Sequence, residues 1–373
     1  MIKFKLVATC LLGLEGMVAQ ELKMMGAQNV CAENGRVVFD GSPQMIARAN
    51  LKSRYSERIL ILMSTFEART FEQLFQNVKN LPWEEFIGKD DEFPVKGRTV
   101  SSDLMSIPDC QKIIKKAVVE RLKSKYKIDW FAEIGTLYQI QFLILKNKVS
   151  IMIDTTGIGL YKRGYREFSI EAPIKETLAS AMVDLSRVKS NHTVIDPMCG
   201  SGTLVIESAL KAKNIAPGIN RSFISEDFKF VGKKVYEEER QKAREEEITD
   251  CTFRAKGYDI DIEAIELARS NAQKAGVEDL IDFEVRDIKD FEIESERATI
   301  ICNPPYGERL LDIQSAREIY RIMGRKFKKQ RGFSYTIITP DEEFENCYGM
   351  KADKRRKLYN GMIKCQVYMY FKN

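Results

Sequence analysis

The sequence predicts a doubly wound α/β domain carried behind smaller α+β units, and three observations support this. Residues 193–203 run from an apolar strand, Thr193-Val194-Ile195, through Asp196 and a turn holding Gly200 and Gly202, into a helix start. Strand, glycine turn and helix N-terminus together form the nucleotide half-site of such folds. Four predicted strands end in an acid or amide, at Asp196, Asp259, Asp287 and Asn303, and open α/β sheets bind ligands at those ends. The chain closes at Lys357 to Phe371 on an antiparallel hairpin through Asn360-Gly361.

A chain of 373 residues has room for two or three domains with real cores. A net charge of +5 permits a nucleic-acid partner without requiring one. The eight cysteines form no C-x-x-C pair and there is a single histidine, His192. That argues against a zinc site, and dispersed thiols suit a reducing cytoplasm. Near the N-terminus, the apolar run Leu6 to Leu12 is broken by Gly13 and Glu15, so it reads as a strand entering a helix, not as a leader. No run approaches the roughly 20 apolar residues of a membrane span.

In chain order, residues 1–65 read as a small α+β unit. Phe4–Cys10 is a strand, 16–25 a helix stopped by Gly26, 35–39 a strand, 45–50 a helix and 58–63 a strand. Residues 66–155 read as a second α+β unit. Helix 71–80 places Phe71, Leu74, Phe75 and Val78 on one face. A strand edge is expected at Thr99 to Ser102. The segment Ser106-Ile107-Pro108-Asp109-Cys110-Gln111-Lys112 opens a basic helix through Tyr126. Strands 139–145 and 148–154 are joined by a tight turn at Lys146-Asn147. The helix buries Ile113, Ile114, Ala117, Val118 and Leu122, leaving Lys112, Lys115 and Lys116 in solvent as candidate phosphate contacts.

Residues 156–180 form the joint, with a flexible connection beginning at Thr155-Thr156-Gly157. Lys162, Arg163 and Arg166 there add further candidate contacts to nucleic acid, and Ala172 to Leu178 opens a helix. Residues 181–373 form the α/β domain. After the glycine turn, 211–250 is an insertion whose charged tail, 237–247, reads as an exposed helix laced with ion pairs. Strand 254–258 and helix 262–275 follow, then strand 281–285, strand 299–302, helix 317–328 and strand 335–339.

The glycine turn lacks the Lys of a phosphate-cradling loop. Its meaning comes from Asn303-Pro304-Pro305-Tyr306, a corner closing the apolar strand Ala298–Cys302. The pair of motifs resembles the amino-group methyltransferases that use S-adenosylmethionine, of the Rossmann-like class I fold with a mostly parallel seven-stranded sheet. The 66–155 unit resembles a THUMP domain, an RNA-binding module, most clearly over Val95 to Leu122. The 1–65 unit resembles the ferredoxin-like module that precedes it. Nearly the whole chain resembles the THUMP-containing N2-guanine RNA methyltransferases, most like those acting on bacterial large-subunit ribosomal RNA. That family also carries an insertion after the glycine turn, which explains why Asp259 follows Asp196 at such distance.

The resemblance implies roles for individual residues. Asp259, or alternatively Asp261, accepts the ribose hydroxyls. Asp287 and the Ile288 backbone meet the adenine, beside Ile260. Asp196, Pro197, Gly200, Ser201, Gly202 and Thr203 surround the methionine end, with Ser201 and Thr203 as helix caps. Pro173, Ile174 and Thr177 close over that end. Asn303 and the Pro304 carbonyl hold the target amine, Pro305 stiffens the corner and Tyr306 stacks on the base. Cys199 and Cys302 read as packing and not as nucleophiles. Rival readings are N2-guanine methylation of transfer RNA, an N6-adenine methyltransferase on DNA or RNA, and a non-catalytic RNA-binding assembly factor.

Overall fold

The structure, a computed structural model, describes residues 3–166, 174–293, 295–306, 312–327 and 331–371. The N-terminal half is built on one seven-stranded sheet. It takes β1 (Phe4–Cys10), α1 (Glu15–Met24), β2 (Gln28–Glu33), β3 (Arg36–Gly41), α2 (Pro43–Lys52), β4 (Ser56–Glu67), α3 (Phe71–Lys79), β5 (Val95–Val100), α4 (Ile107–Tyr126), β6 (Ile140–Leu145) and β7 (Lys148–Asp154). The strand order is β2-β3-β1-β4-β7-β6-β5.

The expected break between the first two units, at 65/66, falls inside β4. This twelve-residue strand pairs antiparallel with β1 on one side and β7 on the other. Strand β2 went unread because five of its six residues are exposed on a sheet edge, so no apolar alternation marks it. The strand expected at Thr99 to Ser102 lies earlier, at Val95–Val100. Ser101 adopts φ +48°, which ends the strand.

The connection is α5 (Glu176–Leu185). The C-terminal half then follows as β8 (Thr193–Asp196), α6 (Thr203–Ala212), α7 (Gly232–Glu245), β9 (Arg254–Asp259), α8 (Ile262–Ala275), β10 (Ile281–Val285), β11 (Ala298–Cys302), α9 (Ile313–Lys326), β12 (Phe333–Thr339), α10 (Phe344–Tyr348), β13 (Lys354–Asn360) and β14 (Ile363–Tyr370). The sheet order is β10-β9-β8-β11-β12-β14-β13. Strands β8 to β12 are parallel and β14 runs antiparallel to both neighbours. The order reverses between β8 and β11, which opens a crevice at their carboxyl ends. Strand β11 is buried at every position, as a central parallel strand must be.

Two expectations fail, one at the joint and one in the insertion. Thr155 and Thr156 do not begin a flexible connection; both are fully buried. The Thr155 hydroxyl donates to the Ile59 carbonyl at 2.7 Å and the Thr156 hydroxyl donates to Asn50 Oδ1 at 2.7 Å. Nor is α7 a solvated helix. It buries Tyr236, Glu239 and Ala243 against α2, and Arg48 of α2 grips Glu239 through two bonds of 2.7 and 2.9 Å. A charge-rich helix can dock when its charges have partners across the interface. Sequence periodicity cannot report those partners. Among the described residues no helix is long and apolar enough to cross a membrane.

Candidate active site

The crevice between β8 and β11 holds a cleft of about 660 Å³. Its floor is the turn after β8. Gly200 and Gly202 both take positive φ, +50° and +79°, which glycine alone adopts without strain. Gly202 does not itself face the cleft. A Cβ there would sit 3.1 Å from Ala268 and 3.2 Å from Phe283, so this glycine lets the turn pack against α8 and β10. The turn is tied to the next strand: the Gly200 N–H donates to Asp259 at 2.8 Å and the Cys199 N–H donates to the Tyr258 carbonyl at 2.7 Å.

The expected helix caps are absent. Gly202 is the N-cap residue of α6 and no side chain bonds its first turn. Thr203 instead shares a 3.3 Å contact with Ser201 and accepts from Arg166 at 3.3 Å. The first N–H groups of α6 therefore remain available to an anion at the cleft.

Asp196 ends β8 almost fully buried. It accepts from the Met198 N–H at 3.2 Å and touches the Cys302 thiol. Burial, aided by the nearby Asp259 charge, pushes its carboxyl up to about 8. A buried acid of this kind favours a cationic ligand. Asp259 accepts from Gly200 and, at 3.1 Å, from the Asp261 N–H, which leaves lone pairs on both oxygens. Asp261 caps α8 through the Glu263 N–H at 2.9 Å, whereas Asp259 is the acid tied directly to the glycine turn. Asp287 accepts from the Lys289 N–H at 2.9 Å. Ile260 (69% exposed) and Ile288 present apolar surface on the same side.

Across the cleft stands the corner Asn303-Pro304-Pro305-Tyr306. The Tyr306 hydroxyl donates to Asn303 Oδ1, and Asn360 lies within its reach. Tyr306 is thus folded onto the asparagine in the free protein, not poised as an open stacking face. Burial keeps the Cys199 and Cys302 thiols far above their ordinary range, with Asp196 adding repulsion. Neither is a thiolate, so neither is an activated nucleophile.

Of the sequence-predicted positions, Ile174, Asp196, Pro197, Gly200, Ser201, Thr203, Asp259, Ile260, Asp287, Ile288 and Asn303 to Tyr306 all border the cleft. Thr177 does not. It is fully buried and donates to Glu57 of β4 at 2.8 Å, turned toward the N-terminal half. Pro173 lies outside the described residues. Sequence reading missed Met198, Leu204, Ala264, Arg286 and Lys289, along with Ile319 and Ile322 of α9 and Asn360 and Ile363 of the terminal hairpin. The α9 pair sits at helical spacing and signals only a buried face, and nothing in the local sequence points the hairpin back to the cleft.

Three of the six basic candidates are corrected. Arg163 is 5% exposed. It donates to the carbonyls of Leu160 (2.8 Å) and Arg54 (2.6 Å) and lies 3.6 Å from Glu207. Arg166 spans the cleft wall, donating to the Ile174 carbonyl at 3.1 Å and to Glu176 at 2.9 Å. Lys115 is held by both Glu133 oxygens at 2.6 Å and covers the Phe93 ring. Each is committed to internal partners because burying a cation requires them. Lys112, Lys116 and Lys162 remain exposed. Among the described residues no group of three or more His, Cys, Asp or Glu is arranged to hold a metal.

Comparison with known proteins agrees with this architecture. A family model described as "RMKL-like, methyltransferase domain" matches residues 163–369, an "RlmL ferredoxin-like domain" matches 5–60 and a THUMP domain matches 68–154. "Putative RNA methyltransferase YpsC" of Bacillus subtilis (strain 168) is 42% identical over 372 residues, covering 99% of this chain and 96% of that protein. "Ribosomal RNA large subunit methyltransferase K/L" of Psychromonas ingrahamii is 34% identical over 96% of this chain, but the chain spans only 49% of that relative's length. Among solved structures, a "predicted N6-adenine-specific DNA methylase" from Listeria monocytogenes superposes with a TM-score of 0.94 at 44% identity, covering 100% of this chain and 97% of that one. SMU.472, "a putative methyltransferase complexed with SAH", gives 0.95 at 40%, covering 100% and 99%. A ferredoxin-like unit, a THUMP unit and a cleft-bearing α/β domain thus follow one another as in these relatives, and the chain belongs to the family of RMKL-like methyltransferases.

Proposed function

We propose that this chain methylates the exocyclic N2 amine of a guanine in structured RNA, with large-subunit ribosomal RNA as the substrate. The carrying observation is one cleft lined on opposite walls by a buried acid beside an uncapped helix N-terminus and by an Asn-Pro-Pro-Tyr corner. S-adenosylmethionine is the methyl donor; when bound, its sulfonium supplies an electrophilic methyl group.

The residues of this chain fit that donor. Asp196 would hold the ammonium and the α6 N–H groups would hold the carboxylate. Asp259 accepts the ribose hydroxyls, while Ile260, Asp287 and Ile288 border the adenine. On the acceptor side, a base amine is a poor nucleophile because its lone pair is delocalised into the ring. Asn303 Oδ1 and the Pro304 carbonyl accept its two hydrogens, which fixes the nitrogen and turns its lone pair toward the methyl. Transfer would form a nitrogen–carbon bond as the donor's sulfur–carbon bond breaks, and the amine proton would leave to solvent or a carboxylate. Rate comes from orientation and placed dipoles. The neutral, buried Cys199 and Cys302 disfavour a covalent route through carbon.

Two features support RNA: the THUMP unit, and relatives named as RNA and ribosomal RNA methyltransferases. In a base pair the guanine amine commits one hydrogen to cytosine and lies within the stack, so a corner that accepts both hydrogens needs the base unpaired or extruded. The test is mass spectrometry of nucleosides after reaction with large-subunit RNA from a strain lacking the gene. N2-methylguanosine is expected. N6-methyladenosine as the sole product overturns the guanine assignment and favours the activity for which the Listeria neighbour is named. Asn303→Ala is expected to lower transfer by roughly 10²-fold or more while adenosylhomocysteine binding persists.

A further inference from the structure

The terminal hairpin reaches back to the cleft. Its last and first ladder residues, Asn360 and Ile363, both line it, and Asn360 lies beside the Tyr306 hydroxyl. The register pairs Asn360 with Ile363, so the two-residue turn is Gly361-Met362. The Asn-Gly pair alone suggests a turn centred one residue earlier. Positive φ is confined to Gly361, at +64°, as in a II′ turn. The consequence is that Met362 stands at the tip, 96% exposed. Exposure of a single apolar side chain is ordinary; what singles Met362 out is its place between two residues that line the cleft.

We propose that Met362 is a wedge that enters the RNA stack at the place left by the extruded guanine; this rests on the function proposed above. Three features of the hairpin fit that occupant. The tip adjoins the corner that receives the base. Methionine is slender, unbranched and polarizable, and apolar side chains of this kind insert between base steps in nucleic-acid-bending proteins. Exposed Lys364, beside the tip and 4.0 Å from exposed Glu342, and exposed Lys357, three ladder positions down the other strand, offer cations to phosphates on either side of the gap. Filling the gap recovers part of the stacking lost on extrusion. Met362 is a positioning residue and touches no reacting atom.

The test compares Met362→Ala and Met362→Leu with wild type. Each is given labelled adenosylmethionine and large-subunit ribosomal RNA from a strain lacking the gene. The RNA is used either folded with magnesium or heat-denatured and kept magnesium-free. Met362→Ala is expected to lose about tenfold in rate on folded RNA, to come within about twofold of wild type on denatured RNA, and to bind adenosylhomocysteine unchanged. Met362→Leu, still apolar and similar in volume, is expected to retain most of the rate on folded RNA. An equal loss on both RNAs, no loss on folded RNA, or a loss confined to RNA affinity by filter binding overturns the wedge. If wild type uses folded RNA alone, the comparison of Ala with Leu on that RNA decides: equal rates overturn it. Failure of wild type to methylate either RNA strikes the proposed function instead.

Discussion

Asp196 is a carboxylate held where water is scarce, and that sets a pH dependence. Its folded-state carboxyl is raised to about 8 by burial, against roughly 3.9 in an unfolded chain. The folded protein therefore binds this proton more tightly than the unfolded one. Its contribution to stability is fully present below about pH 4 and is lost as the pH rises toward 8. A ligand ammonium favours the ionised form, so binding expels the proton below pH 8 and affinity climbs as the pH rises from 6 toward 8. Calorimetry of adenosylhomocysteine in two buffers of different ionisation heat checks this. Proton release is expected at pH 6.5 and should vanish in Asp196→Asn, with affinity weakened by about 10- to 100-fold. Asp196 and Asn303 are legible because each closes a short apolar strand, whereas Asp259 closes the mixed strand β9, Asp287 follows the mixed strand β10, and both are marked by the acid and the helix start that come after. Thr177, Arg163 and Arg166 are not legible, because their partners (Glu57, Glu207, Glu176 and the carbonyls of Leu160, Arg54 and Ile174) arrive from elsewhere in the chain. A lysine or arginine in solvent and one in a buried network read alike in one dimension.

At the scale of the element, α9 shows how one missing methyl sets a wall. Helix α10 crosses α9 at Gly324, where an added Cβ would stand 1.9 Å from the Tyr348 carbonyl. That carbonyl is backbone and cannot swing aside. Gly324→Ala is expected to destabilise the protein by about 1–3 kcal/mol. It should also weaken adenosylhomocysteine binding, because Ile319 and Ile322 on the same helix line the cleft. Thermal denaturation with and without ligand measures both effects. The parallel strands and helices α6, α8 and α9 of the α/β domain are readable to within about a turn, since their apolar spacing repeats, whereas the five-residue α10 is too short to show a period. The sheet-edge strand β2 and the one-residue shift of the final turn are not readable, because exposure on β2 and ladder register in the hairpin depend on neighbouring strands.

Across the whole molecule, the insertion after α6 acts as a clasp. Ser225 donates to the Thr155 carbonyl at 2.8 Å and Asn50 donates to the Tyr236 hydroxyl at 3.2 Å. Arg48 holds Glu239, whose side chain is 1% exposed. Removing the acid strands a partly buried arginine. With Arg48 28% exposed, solvent screening cuts the penalty below that of a fully buried pair. Glu239→Ala is expected to cost about 1–3 kcal/mol and to split one unfolding transition into two, seen by calorimetry. A steeper loss on Arg48→Ala than on Glu239→Ala would point to the Met25 carbonyl that Arg48 also binds as the stronger tie.

The shared strand β4 also bears on how this chain can be cut. Its two edges are satisfied by β1 and β7, members of different modules. A fragment begun at residue 68, where the THUMP match starts, would leave β7 with a row of bare amides and carbonyls along most of its length. Such an edge invites pairing with its own copies. That fragment should therefore self-associate in light scattering, whereas one begun at residue 3 and ended at 154 should stay monodisperse.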